Sequence, residues 1–495
     1  MSLPNLLSLN FLVPFVASKL DFSRAIRGLR GMPRRLLLIG HKLADGSAAV
    51  DTIRTVSTET DAVELYGEGS QLVSMWRAAK RNADLGLPID VICLVEGAAA
   101  VKASSTIVVG TAGATLGTSG ELMLYVEDQR ISFGVVDADT GATIAAKLVA
   151  AINAVDKLPV TAAATVTPGE VKLTCKWGGP TGNSISVVSQ YYQDDKLPVG
   201  LTLTIPVMTL GAVEPDVTPV ITKMAGYRAT EIVNPFTGGA NQVLLENELA
   251  TRWLANNMQD GMVVNAYRGT EAAITTLLAG RNSPHVHTIT STKDLSSPWQ
   301  TAAMAGAAIE SLAAIDPALP HTGVVLSGYV GPKQGDDFTI DQKNNLLVAG
   351  GSPLQISQDG TGSMLRMVTN YTQTANGAAD RSLAELCWLK TMSYYRWFRV
   401  TEFMIKYTGF KIAQYITDPI PGQKIMTKEL GEEIMIGLYK LFMDVGLTQN
   451  MPYYQETLVV EVDGPNGKLK ILDEPVIVTQ HYQTEITSAV VAGQV

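Results

Sequence analysis

Five histidines serve the 495 residues of this chain, and only a few residue groupings have the types and spacing that chemistry would need. His285 and His287, in the run HVH, would share one face of a strand and so present two imidazoles as metal ligands. No third Cys, His, Asp or Glu stands close in sequence to complete a set, so ordinary strand histidines are expected. Ser363 in DGTGSM (359–364) and His321 in HTG carry the side chains of a serine-hydrolase triad, but their order and flanking residues do not match a known arrangement. Gly67, Gly69 and Ser70, in YGEGSQL, make a partial glycine loop ahead of a helix. It lacks the third glycine and the lysine of the phosphate motifs and reads as a helix-entry turn. The neighbouring carboxylates Asp194–Asp195 and Asp336–Asp337 read as solvated loop charges rather than an acid–base pair. No catalytic set, cofactor site or metal site is expected.

The bulk properties narrow the classes further. With 46% hydrophobic and 17% charged residues the chain can bury a large core, and its length suggests two to four domains. A formal charge of −9, from 38 basic and 47 acidic residues, opposes general binding to a phosphate backbone. The densest basic run, Arg24, Arg27, Arg30, Arg34 and Arg35, has no interleaved aromatics and reads as a solvated segment or a contact for an acidic partner, so no nucleic acid is expected. Cys93, Cys175 and Cys387 are odd in number and widely spaced, which points to buried thiols and reducing conditions. No signal peptide and no membrane-spanning run are expected.

The elements that must hold these residues follow from periodicity. RRLLLIG (34–40) and DVICLV (90–95) read as buried strands, with helices between them capped by Thr58 and Ser70, a βαβ pattern. From about 100 to 212 the chain becomes Gly- and Thr-rich, with alternating segments such as ELMLYVEDQRISFGVV and one helix at Thr143–Val155. Strand and helix then alternate again from Pro219 to an Ala-rich helix at Ala302–Ala314. The two flanks imply one α/β domain carrying a β-rich insertion. Beyond 380 a helix from Asp380 to Tyr407, capped by Asp380 and ended at Gly409, is followed by a helix at Thr427–Val445 and a hairpin turning at DGPNG (463–467). An extended, β-prone segment stands at each terminus without an apparent partner in the chain, open either to pairing with another chain or to folding back on its own subunit or fraying.

Several segments, in order along nearly the whole chain, resemble the tail sheath family of contractile phages, in its Mu-like branch. They are VPFVASKLDFSRA (13–25), RRLLLIGHKLADGSA, AVELYGEGSQLVSMWRAA, TEIVNPFTG, RNSPHVH, NNLLVAGGS (344–352), DRSLAELCWLKTMSYYRWF and MDVGLTQNMPYYQETLVVEVDGPNGKLKI. Phe15 departs from the glycine of many sheaths. The resemblance implies an α/β, overall α+β, architecture. A core domain of subtilisin-like topology, without protease activity, would span 23–99 and 213–365. An outward β-rich insertion would span 100–212 and a C-terminal sheath domain 366–474, with arms at 1–22 and 475–495.

Its implied function is structural. Subunits polymerise helically around a tail tube and contract to drive the tube through the host envelope for genome ejection. The implied partners are further copies of the chain, the tail tube protein, the baseplate and the tail terminator or neck proteins. The implied location is the virion tail, after assembly in the host cytoplasm, without membrane insertion. The N-terminal arm would act through Leu9, Phe11, Val13 and Phe15 and the C-terminal arm through Val476, Val478, Ile486 and Val490, each lending a strand to a neighbour. Glu429, Glu432, Glu433 and Lys440 are candidates to face the tube. Two other classes compete: a subtilisin-like hydrolase, which needs His321 and Ser363 to act together, and a non-contractile surface or adhesion protein binding ligands through the insertion.

Overall fold

The computed structural model describes residues 29–414 and 422–488. The chain opens with strand β1 (Leu36–Gly40), the short β2 (Arg54–Thr55), helices α1 (Glu59–Tyr66) and α2 (Gln71–Asn82), and β3 (Ile89–Cys93). All five residues of β1 are buried. Leu36 and Leu38 pack with Leu72 and Met75 of α2, whereas Leu37 and Ile39 belong to a second cluster on the opposite face. Each such side chain contributes about 1.5–3 kcal/mol when fully buried, so an unbroken apolar run is stable only with helices over both faces. Both caps read from the sequence form: Thr58 Oγ1 accepts from Asp61 N at 3.1 Å and Ser70 Oγ from Val73 N at 3.2 Å.

After β3 the chain departs into a β-rich unit. Its elements are β4 (Lys102–Thr111), β5 (Gly120–Val126), β6 (Gln129–Val135), α3 (Gly141–Asn153), β7 (Val160–Ala164), β8 (Glu170–Gly178), β9 (Val187–Ser189) and β10 (Leu201–Thr204). They form two antiparallel sheets, ordered β10-β4-β8-β7 and β6-β5-β9. The chain leaves and returns at one neck, where Val101 bridges Ala212. One buried cluster runs from the core into this unit, joining Leu122, Leu124, Ile144, Leu148 and Trp177 to α2 residues. Trp177 meets Trp299 edge to face at 5.7 Å between centroids. The insertion is therefore fused to the core through a shared apolar interior.

The second flank supplies α4 (Thr218–Lys223), β11 (Glu231–Val233), α5 (Gly239–Arg252), β12 (Met262–Arg268), α6 (Glu271–Ala279), β13 (Val286–Ser291), α7 (Pro298–Ile315), α8 (Ile340–Val348), β14 (Gly351–Ile356) and β15 (Gly362–Met364). The resulting sheet has eight strands ordered β15-β14-β13-β12-β11-β1-β3-β2. From β14 to β3 neighbours are parallel, and β15 and β2 close the two edges antiparallel. On one face α7 lies close enough that a Cβ on Gly306 would come within 3.0 Å of Val264 and 3.4 Å of Leu36 and Val233. That approach explains the small residues of the Ala-rich helix.

The remaining chain builds α9 (Leu386–Lys406), β16 (Lys411–Ile412), β17 (Ile425–Met426), α10 (Lys428–Asp444), β18 (Thr448–Gln449), α11 (Met451–Thr457), the hairpin β19 (Val459–Asp463) and β20 (Lys468–Leu472), and β21 (Val476–Ile477). Its core is aromatic. Phe442 contacts Tyr395 and Phe398 at 4.6 and 5.3 Å, and Tyr439 stacks on Tyr454 at 3.7 Å. Two expectations change here. Asp380 does not cap the long helix, because its carboxylate accepts from Ser382 N, Ser382 Oγ and Tyr371 Oη. Residues up to Ala384 instead pair back on Thr369, which delays α9 to Leu386. The segment after the hairpin, which showed no partner in sequence, pairs through β21 with β18 of the same chain.

Candidate functional site

The residues suited to catalysis are engaged elsewhere. Val325 bridges Ser363, so the HTG and DGTGSM segments do lie side by side. Yet Ser363 Oγ donates to Gln355 O at 3.4 Å, while buried His321 places Nδ1 3.1 Å from Cys387 Sγ. Burial lowers the His321 imidazole to about 3 and raises the Cys387 thiol to about 12, so neither is a base or a thiolate near neutral pH. Asp359, in the same segment as Ser363, accepts from Thr361 N at 3.0 Å in its own turn. His285 precedes β13 and stacks on Trp253 at 5.0 Å, whereas His287 reaches Glu231 Oε1 at 2.7 Å, so the two imidazoles do not converge. Among the described residues no group of three or more His, Cys, Asp or Glu side chains is arranged to hold a metal. Gly67 and Gly69 both have positive φ, 84° and 78°, and a Cβ at Gly69 would strike Asp156 O and Leu158 O of the insertion. The glycines serve a turn against which the insertion packs. Asp195 caps its own loop at Tyr192 N, and Asp336 and Asp337 pair with Lys293 and Lys343.

A buried charge network ties the sheet to the C-terminal region. Lys390, on α9, donates to Glu231 Oε2 at 2.6 Å, to Glu310 and to Thr230 O at 3.3 Å. Thr230 Oγ1 donates to Glu310 Oε2 at 2.7 Å, and Arg34 reaches the Glu310 carbonyl. Burial alone would raise the Glu231 carboxyl, but Lys390 and His287 outweigh it and hold the group well below the usual carboxylate range. The sequence contained a signal for this network. Lys390 follows Leu386 and Leu389 at the spacing of the buried helix face. Arg34 also pairs with Asp84, and Arg35 with Asp90, both at 3.0 Å, so the end of the basic run is bound within the molecule. Arg24 and Arg27 lie outside the described residues.

Three surface features of the C-terminal region bear on the residues expected to act in assembly. Glu429, Glu433 and Lys440 form an exposed stripe on α10, while Glu432 is half-buried beside Lys428 at 3.7 Å. The β19–β20 hairpin is a two-stranded sheet with unpaired outer edges. It lies on α10 at Gly431, where a Cβ would meet Val460 at 3.0 Å and Leu469 at 3.4 Å. Third, a C-terminal strap continues from β21. Val478 N donates to Leu447 O at 3.2 Å, the buried Gln480 donates to Ala318 O at 2.9 Å, and Tyr482 donates to Glu385 at 3.0 Å beneath Arg366. Of the residues expected in the C-terminal arm, Val476 and Val478 sit against their own body and Ile486 is exposed. Val490 and the N-terminal residues Leu9, Phe11, Val13 and Phe15 lie outside the described residues. Gln480 and Tyr482 were not singled out from sequence, since nothing in an alternating polar segment marks which side chains return to the body.

The chain is thus a mixed α/β body whose buried polar clusters join its elements and whose surface carries strand edges and a C-terminal strap. A curated relative, the Mu-like prophage FluMu tail sheath protein of Haemophilus influenzae, is 30% identical over 470 residues, spanning 94% of this chain and 95% of its own. The chain belongs to this family of Mu-like tail sheath proteins. No family model matches it. Among solved structures, the sheath tail protein of Desulfitobacterium hafniense is 12% identical, with 94% of this chain and 100% of that one covered and a TM-score of 0.47. The contracted helical sheath of the anti-feeding prophage is also 12% identical, covering 96% and 99%, with a TM-score of 0.46. Family membership rests on the curated relative.

Proposed function

We propose that the chain polymerises helically around a tail tube and contracts, driving the tube through the host envelope for genome ejection. The observation that carries this reading is the identity to a tail sheath protein along nearly the entire length of both chains. Tube, baseplate and terminator or neck proteins are its partners in this reading, and assembly takes place in the host cytoplasm. An open helical assembly needs different patches on the two sides of each subunit. In this reading 23–99 and 213–365 form the α/β core, in the manner of subtilisin topology without its chemistry. Residues 100–212 are the outward insertion, 366–474 the sheath module, and 1–22 and 475–495 the arms.

The strap supports a specific route for the C-terminal arm. Its strand pairing is two residues long, Thr448 to Ile477 and Gln449 to Val476. A neighbour's strap laid in the same place would form the same hydrogen bonds with the same groups, so exchange between subunits costs little. Glu429, Glu433 and Lys440 are assigned to the tube, since exposed charges make contacts that water and salt can break.

Electron microscopy of the purified chain at rising concentration tests the reading directly. Striated hollow cylinders are expected. Discrete particles at every concentration, with or without added tail tubes, would overturn it.

A further inference from the structure

The seam between insertion and core buries a carboxylic acid that the sheath reading does not use. Glu127 closes the β5–β6 turn in a left-handed conformation, φ 52°, and is 3% exposed. Its backbone N–H donates to Ser186 O at 2.8 Å, which fixes the turn, but Oε1 has no hydrogen-bond partner among the described residues. An ionised carboxylate in that position would be strongly disfavoured.

The groups facing Glu127 come from several elements. Arg268, at the end of β12, is half-buried and directs its guanidinium to carbonyls on both sides of the seam: Asp294 O at 2.5 Å in the core and Ser184 O in the insertion. Its charge is thereby shared among carbonyls rather than paired with Glu127. Asp294 is also buried, and its two oxygens and the Tyr329 hydroxyl lack partners of ordinary geometry. Ser297, which precedes α7, and the adjacent Asp128 act on the carboxyl in opposite directions, and Cys175 of β8 lies within its field. On the outer side, Glu127 lines a crevice of about 140 Å³ together with Arg77 and Arg81 of α2 and Lys157.

We propose that Glu127 is a proton-operated latch between the insertion and the α/β core: as the neutral acid it lets the β5–β6 turn sit dry against α7, and as the carboxylate it draws water into the seam and loosens the insertion. Burial pushes this carboxyl from 4.5 up to about 8, with Asp128 adding to the rise and Ser297 and Arg268 opposing it. The docked state therefore holds the proton where the open state has lost it. Docking is strongest below the open-state pKa and weakens as pH rises toward the docked-state pKa. Asp294, raised to about 6 by burial, acts in the same direction at lower pH.

Hydrogen–deuterium exchange on the full chain, corrected for the pH dependence of intrinsic exchange, tests this. Opening at the peptides covering β5–β6 and the start of α7 is expected to rise roughly tenfold per pH unit between about pH 6 and 8, and to be flat over that range in Glu127→Gln. A variant with the wild-type slope, or a wild-type seam whose opening does not change with pH, overturns the latch. Should Glu127→Gln fail to fold, the wild-type profile decides alone: a rise at the seam exceeding that of β1 and β11 peptides supports the latch, and a uniform or absent rise removes it.

Discussion

Lys390 compensates two buried carboxylates at once. Replacing it with methionine keeps the side-chain volume while leaving Glu310 without its ion-pair partner and Glu231 with His287 alone. Breaking a buried pair in this way costs about 3–5 kcal/mol, so Lys390→Met is expected to lower the denaturation midpoint strongly in guanidinium titrations at neutral pH. The loss should shrink on acidification. Glu231 is depressed in the folded state, so its stabilisation is present above the unfolded carboxylate pKa and disappears as pH falls through the folded value. A melting-temperature difference between wild type and variant that stayed constant down to strongly acidic pH would contradict this. Lys390 was not singled out from sequence, although its place beside Leu386 and Leu389 on an apolar helix face was a signal for it; its partners had none. Glu231 and Glu310 are distant in sequence, and only the sheet topology brings them together. Glu127 carried no sequence signal at all, since a turn carboxylate is ordinarily solvated.

Gly431 sets how closely the β19–β20 hairpin lies on α10. Leucine there would push against Val460 and Leu469 and tilt the hairpin away. The expected result for Gly431→Leu is a body that melts within a few degrees of wild type but forms no ordered tubes in the microscope, since overpacking of about 1–3 kcal/mol falls on one element. Reversing the α10 stripe with Glu429→Lys and Glu433→Lys should leave self-assembly intact and reduce co-sedimentation with tail tubes at low salt, the difference fading as salt rises. Unchanged co-sedimentation would remove the stripe from the tube contact. Elements of this kind were the most readable part of the sequence. Alternation located the hairpin, and the helix expected from Thr427 forms from Lys428, with Thr427 as its cap: Leu430 N donates to Thr427 Oγ1 at 3.2 Å. The start of α9 was missed because Asp380 and Thr369 offer the backbone local partners that compete with the helix.

For the whole molecule, the insertion and core share one apolar interior, so the insertion is expected to travel with the core rather than swing on its neck. Chains truncated before residue 23 or after residue 475 should keep a folded body and fail to form long tubes, the second melting lower than wild type because it loses the β18 pairing and the Gln480 and Tyr482 contacts. Normal tubes from both truncations would remove the arms from the mechanism. The alternation of strands and helices, and its interruption near residue 100, were legible from composition and period alone. The fusion across the seam was not, because Trp177 and Trp299 read as separate core residues until the fold sets them edge to face.

A chain proposed to assemble by lending strands must also prevent the wrong strands from pairing. The large sheet ends at one side in β2, two residues long, and at the other in β15, three residues long. Both run against the parallel strands they border. Such stubs offer too little unpaired backbone to template a second sheet. Two subunits whose large sheets met edge to edge would therefore find no extended β-surface there to grow along, which guards that sheet against fibrous stacking in a concentrated solution of the protein.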